Sequence, residues 1–361
     1  MAAVIDNIDS GAVADSLQRL TRDLKAAAGT LTTHQARFLV DDYYILQRDR
    51  IRAFHQNRTL EENAEPHSVL DFFAQQCLII EKQLGRALDT YSDSQPLGQW
   101  ARSITGVGPI FAAGLLANID IRKAKTVGHI WRFAGLDPTN KWLGREKASE
   151  LVEAVLSAGL PQQPVRRRRG AEISEEAYVE ICRRLNTHPE RLRQRLVDRK
   201  TGEVALRRRE LVKAIAKRPW NASLKRLLFL VGESFVKVQN NSQDIYGKVY
   251  VQRKAWETAN NEQGLYAQQA ADALKAKKYG DDTEARQHYE AGHLPPAQIH
   301  RRSTRYAVKL FLADYHCVGY FMEFKKLPPK PYVVSHLGHA HYHGPPNTHL
   351  VPGLTKALAK A

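Results

Sequence analysis

The 361-residue sequence is poor in cysteine and has no long apolar run. Cys77, Cys182 and Cys317 lie far apart and form no Cys-x-x-Cys pair, so neither a zinc ribbon nor a disulfide framework is indicated. No apolar stretch is long enough to cross a bilayer as a helix, and the first residues lack the pattern of a signal peptide. We therefore expect a cytoplasmic protein with reduced thiols and no membrane partner.

Acidic residues are scarce relative to basic ones. The chain contains 54 Lys and Arg against 38 Asp and Glu, a formal net charge of +16. Such an excess favours a polyanionic partner, chiefly nucleic acid, through electrostatic steering and counterion release. Charge alone equally allows a basic ribosome-like or membrane-surface protein, so only sequence motifs can distinguish between these classes.

The most specific pattern lies at residues 103–120 and predicts two helices joined by a tight turn. Gly106 and Gly108 allow unusual backbone angles and close approach to another surface. Pro109 suits the first turn of the second helix, which is strongly apolar. Free amides at a helix start bind anions, so the pattern predicts a helix-hairpin-helix that holds nucleic-acid phosphates without reading bases. The alternative is a glycine-containing turn in an ordinary helical core.

A second segment follows the hairpin and reads Phe133-Ala134-Gly135-Leu136-Asp137-Pro138. In order and spacing, the two segments resemble the C-terminal transposase domain of the IS110/IS116/IS902 transposase family. The resemblance extends over residues 75–143 and 217–325. It implies a transposase or recombinase that acts on DNA, works as an oligomer and uses structured RNA.

The family's N-terminal half has no recognisable counterpart here. In the family, that half is a ribonuclease-H-like domain whose four spaced carboxylates bind two metal ions. The first hundred residues of this chain look helical instead, which argues against two-metal phosphodiester chemistry. We expect no cofactor; either a partner supplies the carboxylates or the chain acts as a serine-type recombinase.

The family's serine nucleophile is also missing, because no serine closely follows Pro138. Ser149 is the nearest serine downstream, inside a predicted helix, and Thr139 is a more hindered hydroxyl. Both are candidate nucleophiles, and both have ordinary structural roles as alternatives.

The pattern of helices predicts a mainly α fold with a helical N-terminal region, a helix-hairpin-helix transposase-like core and an inserted basic two-helix unit. A long helix from about Ser68 to Tyr91 has one apolar face, which suits packing against other helices or a dimer partner and consists of Phe72, Phe73, Cys77, Ile80 and Leu84. The predicted segments are residues 1–66 (N-terminal helices), 67–143 (long helix and hairpin), 144–216 (basic insertion), 217–327 (rest of the core) and 328–361 (tail rich in proline and histidine).

Two groups of residues are predicted to contact nucleic acid. The first is the hairpin backbone with nearby cations: Gly106, Val107, Gly108, Ile110, Arg102, Lys123, Lys125 and Arg132. The second lies in the insertion: Arg166, Arg167, Arg168 and Arg169, a run that also suits RNA, and Arg191, Arg193 and Arg195. The latter three belong to a unit of helix-turn-helix size, or to a plain two-helix hairpin with a solvated basic face.

The tail contains four clustered histidines whose imidazoles are candidate ligands of a transition metal: His336, His339, His341 and His343. The surrounding glycine and proline indicate an irregular tail, so we expect no metal there. Two functions besides transposition stay open. One is a non-catalytic DNA- or RNA-binding factor, of a nucleoid, repair or regulatory kind; the other is a basic scaffold.

Overall fold

The computed structural model describes residues 19–139, 142–158, 173–198, 201–204, 206–329 and 344–360. Over these residues the backbone forms sixteen α-helices and no extended strand, apart from an isolated antiparallel bridge between Val197 and Val204. The predicted mainly α fold is confirmed. None of the helices described is both long and apolar enough to cross a membrane.

The helices are numbered in chain order. The N-terminal part contains α1 (Arg22–Ala27), α2 (Thr33–Glu62), α3 (Ser68–Ser94), α4 (Pro96–Arg102), α5 (Pro109–Asn118) and α6 (Val127–Phe133). The middle part contains α7 (Arg145–Ala158), α8 (Glu175–Arg184), α9 (Pro189–Arg193) and α10 (Arg208–Ala216). The last part contains α11 (Ala222–Val238), α12 (Tyr246–Glu262), α13 (Ala267–Ala276), α14 (Glu284–Glu290), α15 (Pro296–Phe324) and α16 (Leu354–Leu358).

The chain divides into two compact units. The first comprises the described residues up to Leu136 and from Ser223 onward, and the second runs from Asp137 to Ala222. The predicted insertion, residues 144–216, lies within the second unit. Each unit has its own hydrophobic core.

In the first unit, α2 and α3 pack along each other as an antiparallel pair. A reciprocal capping box starts α2: the Gln35 N–H donates to the Thr32 hydroxyl, and the Thr32 N–H donates to the Gln35 side chain. Across the pair, the Arg50 guanidinium donates to the buried Glu81 carboxylate at 2.5 Å. The paired helices therefore form one packing surface, and α5 packs against both of them.

Aromatic side chains form the centre of the first unit's core. Phe235 on α11, Tyr246 on α12 and Phe311 on α15 are fully buried, and their ring centroids lie 5.1–5.5 Å apart. Trp100 on α4 stacks on Phe311. Rings of this size dominate the apolar area that a core buries. They therefore fix α4, and the hairpin that follows it, against α11 and α15.

The second unit packs α7, α8 and α10 around a smaller core that includes Tyr178. The Tyr178 hydroxyl donates to the Pro189 carbonyl at 2.6 Å, which holds the start of α9. The chain turns after Arg193, and Val197 then pairs with Val204, so α9 is a single short helix. Two further helices, α7 and α10, complete this unit beside the predicted pair α8 and α9.

Candidate nucleic-acid interface

The hairpin between α4 and α5 is held from below by two buried side chains. Ile104 and Val107 are almost fully buried in the first unit's core. The Val107 N–H donates to the Ile104 carbonyl at 2.9 Å and closes the turn. Because this short loop is fixed at both points, its position follows that of the core.

The two hairpin glycines have different roles. Gly106 has φ +94°, and a Cβ on it would lie 3.1 Å from atoms of both Phe235 and Val238. Its carbonyl accepts a hydrogen bond from the Ser234 hydroxyl at 2.7 Å. Gly108 is exposed, has φ −79°, and a Cβ there would meet nothing within 4 Å. Gly106 is thus required by the fold, whereas Gly108 keeps the surface open.

The start of α5 carries three backbone N–H groups without a partner. The amides of Gly108, Ile110 and Phe111 donate no hydrogen bond to any described residue, and Pro109 has no N–H. The first intrahelical bond runs from the Ala112 N–H to the Gly108 carbonyl at 3.0 Å. Free amides and the positive end of the helix dipole together favour an anion at this point.

A pocket of about 330 Å³ lies beside these amides. The hairpin forms one side, α2 contributes Tyr43 and Gln47, and α11 contributes Glu233 and Lys237. The Glu233 carboxylate is 3.4 Å from the His300 ring. Since one cation and one carboxylate line the pocket, its attraction for an anion depends on the amides.

The predicted cations around the hairpin fall into two classes. The Arg102 guanidinium binds the carboxylates of Asp89 at 2.7 Å and Asp93 at 3.0 Å, which ties α4 to α3. Lys123 pairs with Asp120 at 3.2 Å. Lys125 and Arg132 are exposed and form no ion pair with a described residue. Of these four predicted cations, Lys125 and Arg132 are therefore the two available to a ligand.

In the second unit, the predicted arginines are partly used to hold the unit together. Arg193 forms an ion pair with Glu175 and lies 5.3 Å above the Tyr178 ring. Arg195 donates to the Ala214 carbonyl at 3.5 Å. Arg191 is exposed.

The candidate nucleophiles Thr139 and Ser149 both belong to the second unit. The Thr139 hydroxyl and N–H both donate to the Asp137 carboxylate, at 2.7 and 2.9 Å. This is the local pattern of a turn stabilised by an aspartate. Ser149 is half-buried within α7. The structure thus gives the Thr139 hydroxyl a local structural role.

Two predicted groups, Arg166–Arg169 and the histidines His336, His339, His341 and His343, lie outside the described residues and stay predictions. Within the described ranges, no three or more His, Cys, Asp or Glu side chains are grouped so that they could hold a metal ion.

Sequence analysis did not single out Arg48 and Arg226. They line a second pocket, of about 310 Å³, between α2 and α11, where the Arg226 guanidinium lies 5.6 Å from the Tyr44 ring centroid. Their distance along the chain gives no sequence signal of this contact, because only the packing of α2 and α11 around α5 brings the two residues to one pocket.

Comparison with protein families gives a match at the hairpin. Residues 98–152 match the family model described as Transposase IS116/IS110/IS902 family. The matched segment begins in α4, includes the hairpin, α5 and α6, and ends in α7. No curated protein and no solved structure matches the chain. The resemblance inferred from the motifs is confirmed over residues 98–152, where this chain is similar to the transposases of the IS116/IS110/IS902 family.

Proposed function

We propose that this protein is a DNA-binding, transposase- or recombinase-like protein that acts in DNA transposition and holds DNA phosphates at the start of α5. The observation that carries the proposal is the set of three free amides at Gly108, Ile110 and Phe111. They lie at the start of α5, where Gly108 is exposed, inside the segment that matches the transposase family. The net charge of +16 supports the same class of partner.

The chemistry of these donors determines what the contact recognises. Backbone amides present the same N–H group whatever the DNA sequence, so they bind phosphate oxygens and position the protein without selecting bases. Lys125 and Arg132, which have no acidic partner among the residues described, add attraction that depends on salt. We therefore expect the proposed contact to have a high affinity at low salt concentration and no preference for a particular DNA sequence.

Replacing Gly108 by valine tests this proposal. A valine side chain would cover the amides, and we expect the dissociation constant for duplex DNA to rise about 10- to 100-fold, because each charge-assisted hydrogen bond contributes roughly 1.5–3 kcal/mol. Folding should be unaffected, since Gly108 has an ordinary φ and open space around it. Fluorescence anisotropy of a labelled duplex, repeated over a salt series, measures the effect.

The matched control is Gly280→Val. Gly280 is also exposed, and its nearest neighbour, the Thr283 methyl group, would lie 3.4 Å from a new Cβ. This variant should bind duplex DNA like the wild type. Equal affinity of Gly108→Val and the wild type would show that the hairpin is not the phosphate contact.

The alternative is a non-catalytic nucleic-acid-binding factor. It is favoured by the engagement of the Thr139 hydroxyl with Asp137 and by the lack of a serine directly after Pro138. Both functions require the hairpin contact with nucleic acid, but only the transposase or recombinase function requires strand cleavage. Incubation with supercoiled plasmid, with and without added divalent cations, separates them by the appearance of nicked or rejoined products.

We also propose that the protein forms a homo-oligomer through α3. Val69, Phe72, Phe73 and Ile80 recur at helical spacing along one side of α3, and all four are exposed. The Phe73 side chain alone is 61% exposed. Apolar rings on a charged, water-soluble surface are typical of a site that another protein surface covers, and a second copy would present the same stripe.

Replacing Phe72 and Phe73 together by serine should shift the protein from a dimer to a monomer in sedimentation equilibrium, because two large apolar contacts per copy are lost. The helix content should stay the same, since neither ring belongs to a core cluster. A wild type that sediments as a monomer at all concentrations would contradict the proposal.

A further inference from the structure

A row of cations lies along one side of α15, away from the hairpin amides. Arg301, Arg305 and Lys309 follow one another at intervals of four residues, so they share a helix face about 12 Å long. The sequence contains no acidic residue between Glu290 and Asp314. No carboxylate therefore lies within four residues of Arg301 or Arg305 along α15.

Among the described residues, neighbouring helices supply no ion-pair partner for the two arginines, although the Glu257 carboxylate of α12 attracts Arg305 at longer range. Neither Arg301 nor Arg305 forms an ion pair with any described residue, whereas Arg302, between them, pairs with Glu257 at 2.7 Å. The Arg305 Nε donates to the backbone carbonyl of Arg301 at 3.2 Å, which holds the Arg305 side chain against its own helix. The surrounding protein and the positive charges of Arg302 and Arg301 lower the pKa of Arg305 from its usual value. An anion would relieve this repulsion.

An exposed aromatic ring borders the row. Phe229 on α11 is 48% exposed, and the Arg301 guanidinium lies 6.0 Å from its ring centroid. The two helices approach closely because Gly232 faces Thr304, whose methyl group would lie 2.4 Å from a Cβ at position 232. At the other end of the row, the Lys309 ammonium lies 5.3 Å from the Trp131 ring. An aromatic ring therefore borders the row of cations at each end.

We propose that the face formed by Phe229, Arg301, Arg305 and Lys309, here named the α11–α15 face, binds single-stranded nucleic acid. The guanidinium groups contact successive phosphates, and a base stacks on Phe229. The inference rests on the proposed function in that the ligand is nucleic acid, but it assigns a different surface and a different strand state. It concerns binding alone and includes no chemical step.

The exposed ring is what favours a single strand over a duplex. Stacked bases inside a duplex cannot lie flat on a protein ring, whereas unpaired bases stack on aromatic side chains next to phosphate-binding cations. A duplex would use the arginines and leave Phe229 in water. An acidic peptide would also neutralise the arginines, but it offers no planar group for the ring.

The test uses the full chain and a fluorescently labelled oligothymidine. We expect Phe229→Leu, which keeps an apolar side chain but removes the ring, to weaken binding about tenfold. The double variant Arg301→Gln/Arg305→Gln should weaken it further and make the plot of log K against log salt concentration less steep by about 1.4. Phe229→Leu should not alter the affinity for duplex DNA more than about twofold, because a duplex does not stack a base on the ring.

Matched controls remove the same groups elsewhere. Phe324→Leu replaces an exposed ring on α15, and Arg58→Gln/Arg286→Gln removes two ion-paired arginines, of which Arg58 is exposed and Arg286 half-buried. Both should bind oligothymidine like the wild type. The hairpin variant Gly108→Val should lose affinity for duplex DNA and keep its affinity for the single strand.

The outcomes separate this inference from the proposed function. Wild-type binding to duplex DNA without binding to oligothymidine would overturn the inference and leave the hairpin proposal intact. Equal losses for both strand states in Phe229→Leu would also overturn it, as would tight binding of poly-glutamate that is insensitive to Phe229→Leu. No binding to any nucleic acid would overturn both.

Discussion

Replacing Phe235 by alanine is expected to lower the free energy of unfolding by about 3–5 kcal/mol. Phe235 is fully buried, and its ring packs against Tyr246 at 5.1 Å and Phe311 at 5.5 Å between centroids. Truncation would leave a cavity that the two neighbouring rings cannot fill, because their positions are set by two other helices, α12 and α15. The lost stability would therefore include both the free energy of transferring the ring out of water and the free-energy cost of the cavity.

The same substitution should weaken the proposed phosphate contact. The Phe235 ring lies directly beneath Gly106, where it would contact a Cβ at 3.1 Å. Without this support the hairpin amides lose their fixed geometry, and we expect weaker duplex binding even at a temperature at which the variant remains folded.

Urea unfolding followed by circular dichroism measures the stability effect. Phe229→Ala is the matched control, because Phe229 lies on the same helix but is half exposed, and its loss should be about 1 kcal/mol or less. A loss of less than about 1 kcal/mol for Phe235→Ala would contradict the central place of this ring in the core.

The second large effect is expected for Glu257→Gln, which should lower the free energy of unfolding by about 3 kcal/mol. The Glu257 carboxylate is buried and accepts hydrogen bonds from Arg253 at 2.7 Å, Arg302 at 2.7 Å and the Tyr266 hydroxyl at 2.5 Å. It joins α12 to α15 and to the start of α13. An amide in its place would leave both guanidinium groups without a counter-charge.

The contribution of Glu257 should depend on pH. Burial raises the pKa of its carboxyl, but the hydrogen bonds from Tyr266, Arg302 and Arg253 outweigh this and lower it below the usual value. A carboxyl with a lowered pKa stabilises the folded state above its unfolded pKa of about 4.3, and the stabilisation disappears as the pH falls through the folded value. The difference between wild type and variant should therefore be constant near neutral pH and shrink below about pH 4.

Unfolding in urea at a series of pH values gives this difference directly. Glu62→Gln is the control, since Glu62 forms an exposed pair with Arg58 at 3.0 Å and should contribute about 0.5 kcal/mol or less. A difference for Glu257→Gln that stays the same down to pH 3 would mean that the carboxylate is not the stabilising group.

The hairpin could be predicted from sequence because its signals are local. The order Gly-Val-Gly-Pro followed by an apolar helix depends on backbone preferences within a few residues, and these operate in any tertiary context. The long helices α2 and α3 were predictable for the same reason, from the spacing of their apolar residues and a break between them.

The function of each residue at the hairpin was not predictable in this way. Sequence assigned Gly106 and Gly108 the same role. In the structure Gly106 packs against Phe235 and Val238, where a side chain would not fit, whereas Gly108 lies at the surface. Arg102 reads as a free cation until the fold places Asp89 and Asp93 beside it. Ion pairs depend on distances between atoms, and a linear pattern does not contain them.

The sequence by itself determined the helical class and the basic character, because composition and short-range periodicity specify these. It also determined the hairpin, whose motif, together with residues 133–138, carries the family resemblance. Only the tertiary structure decided which amides stay free, which cations are already neutralised, and that Phe229 of α11 lies beside Arg301 of α15. Those properties arise where segments far apart in the chain pack together, and the buried aromatic core sets that packing.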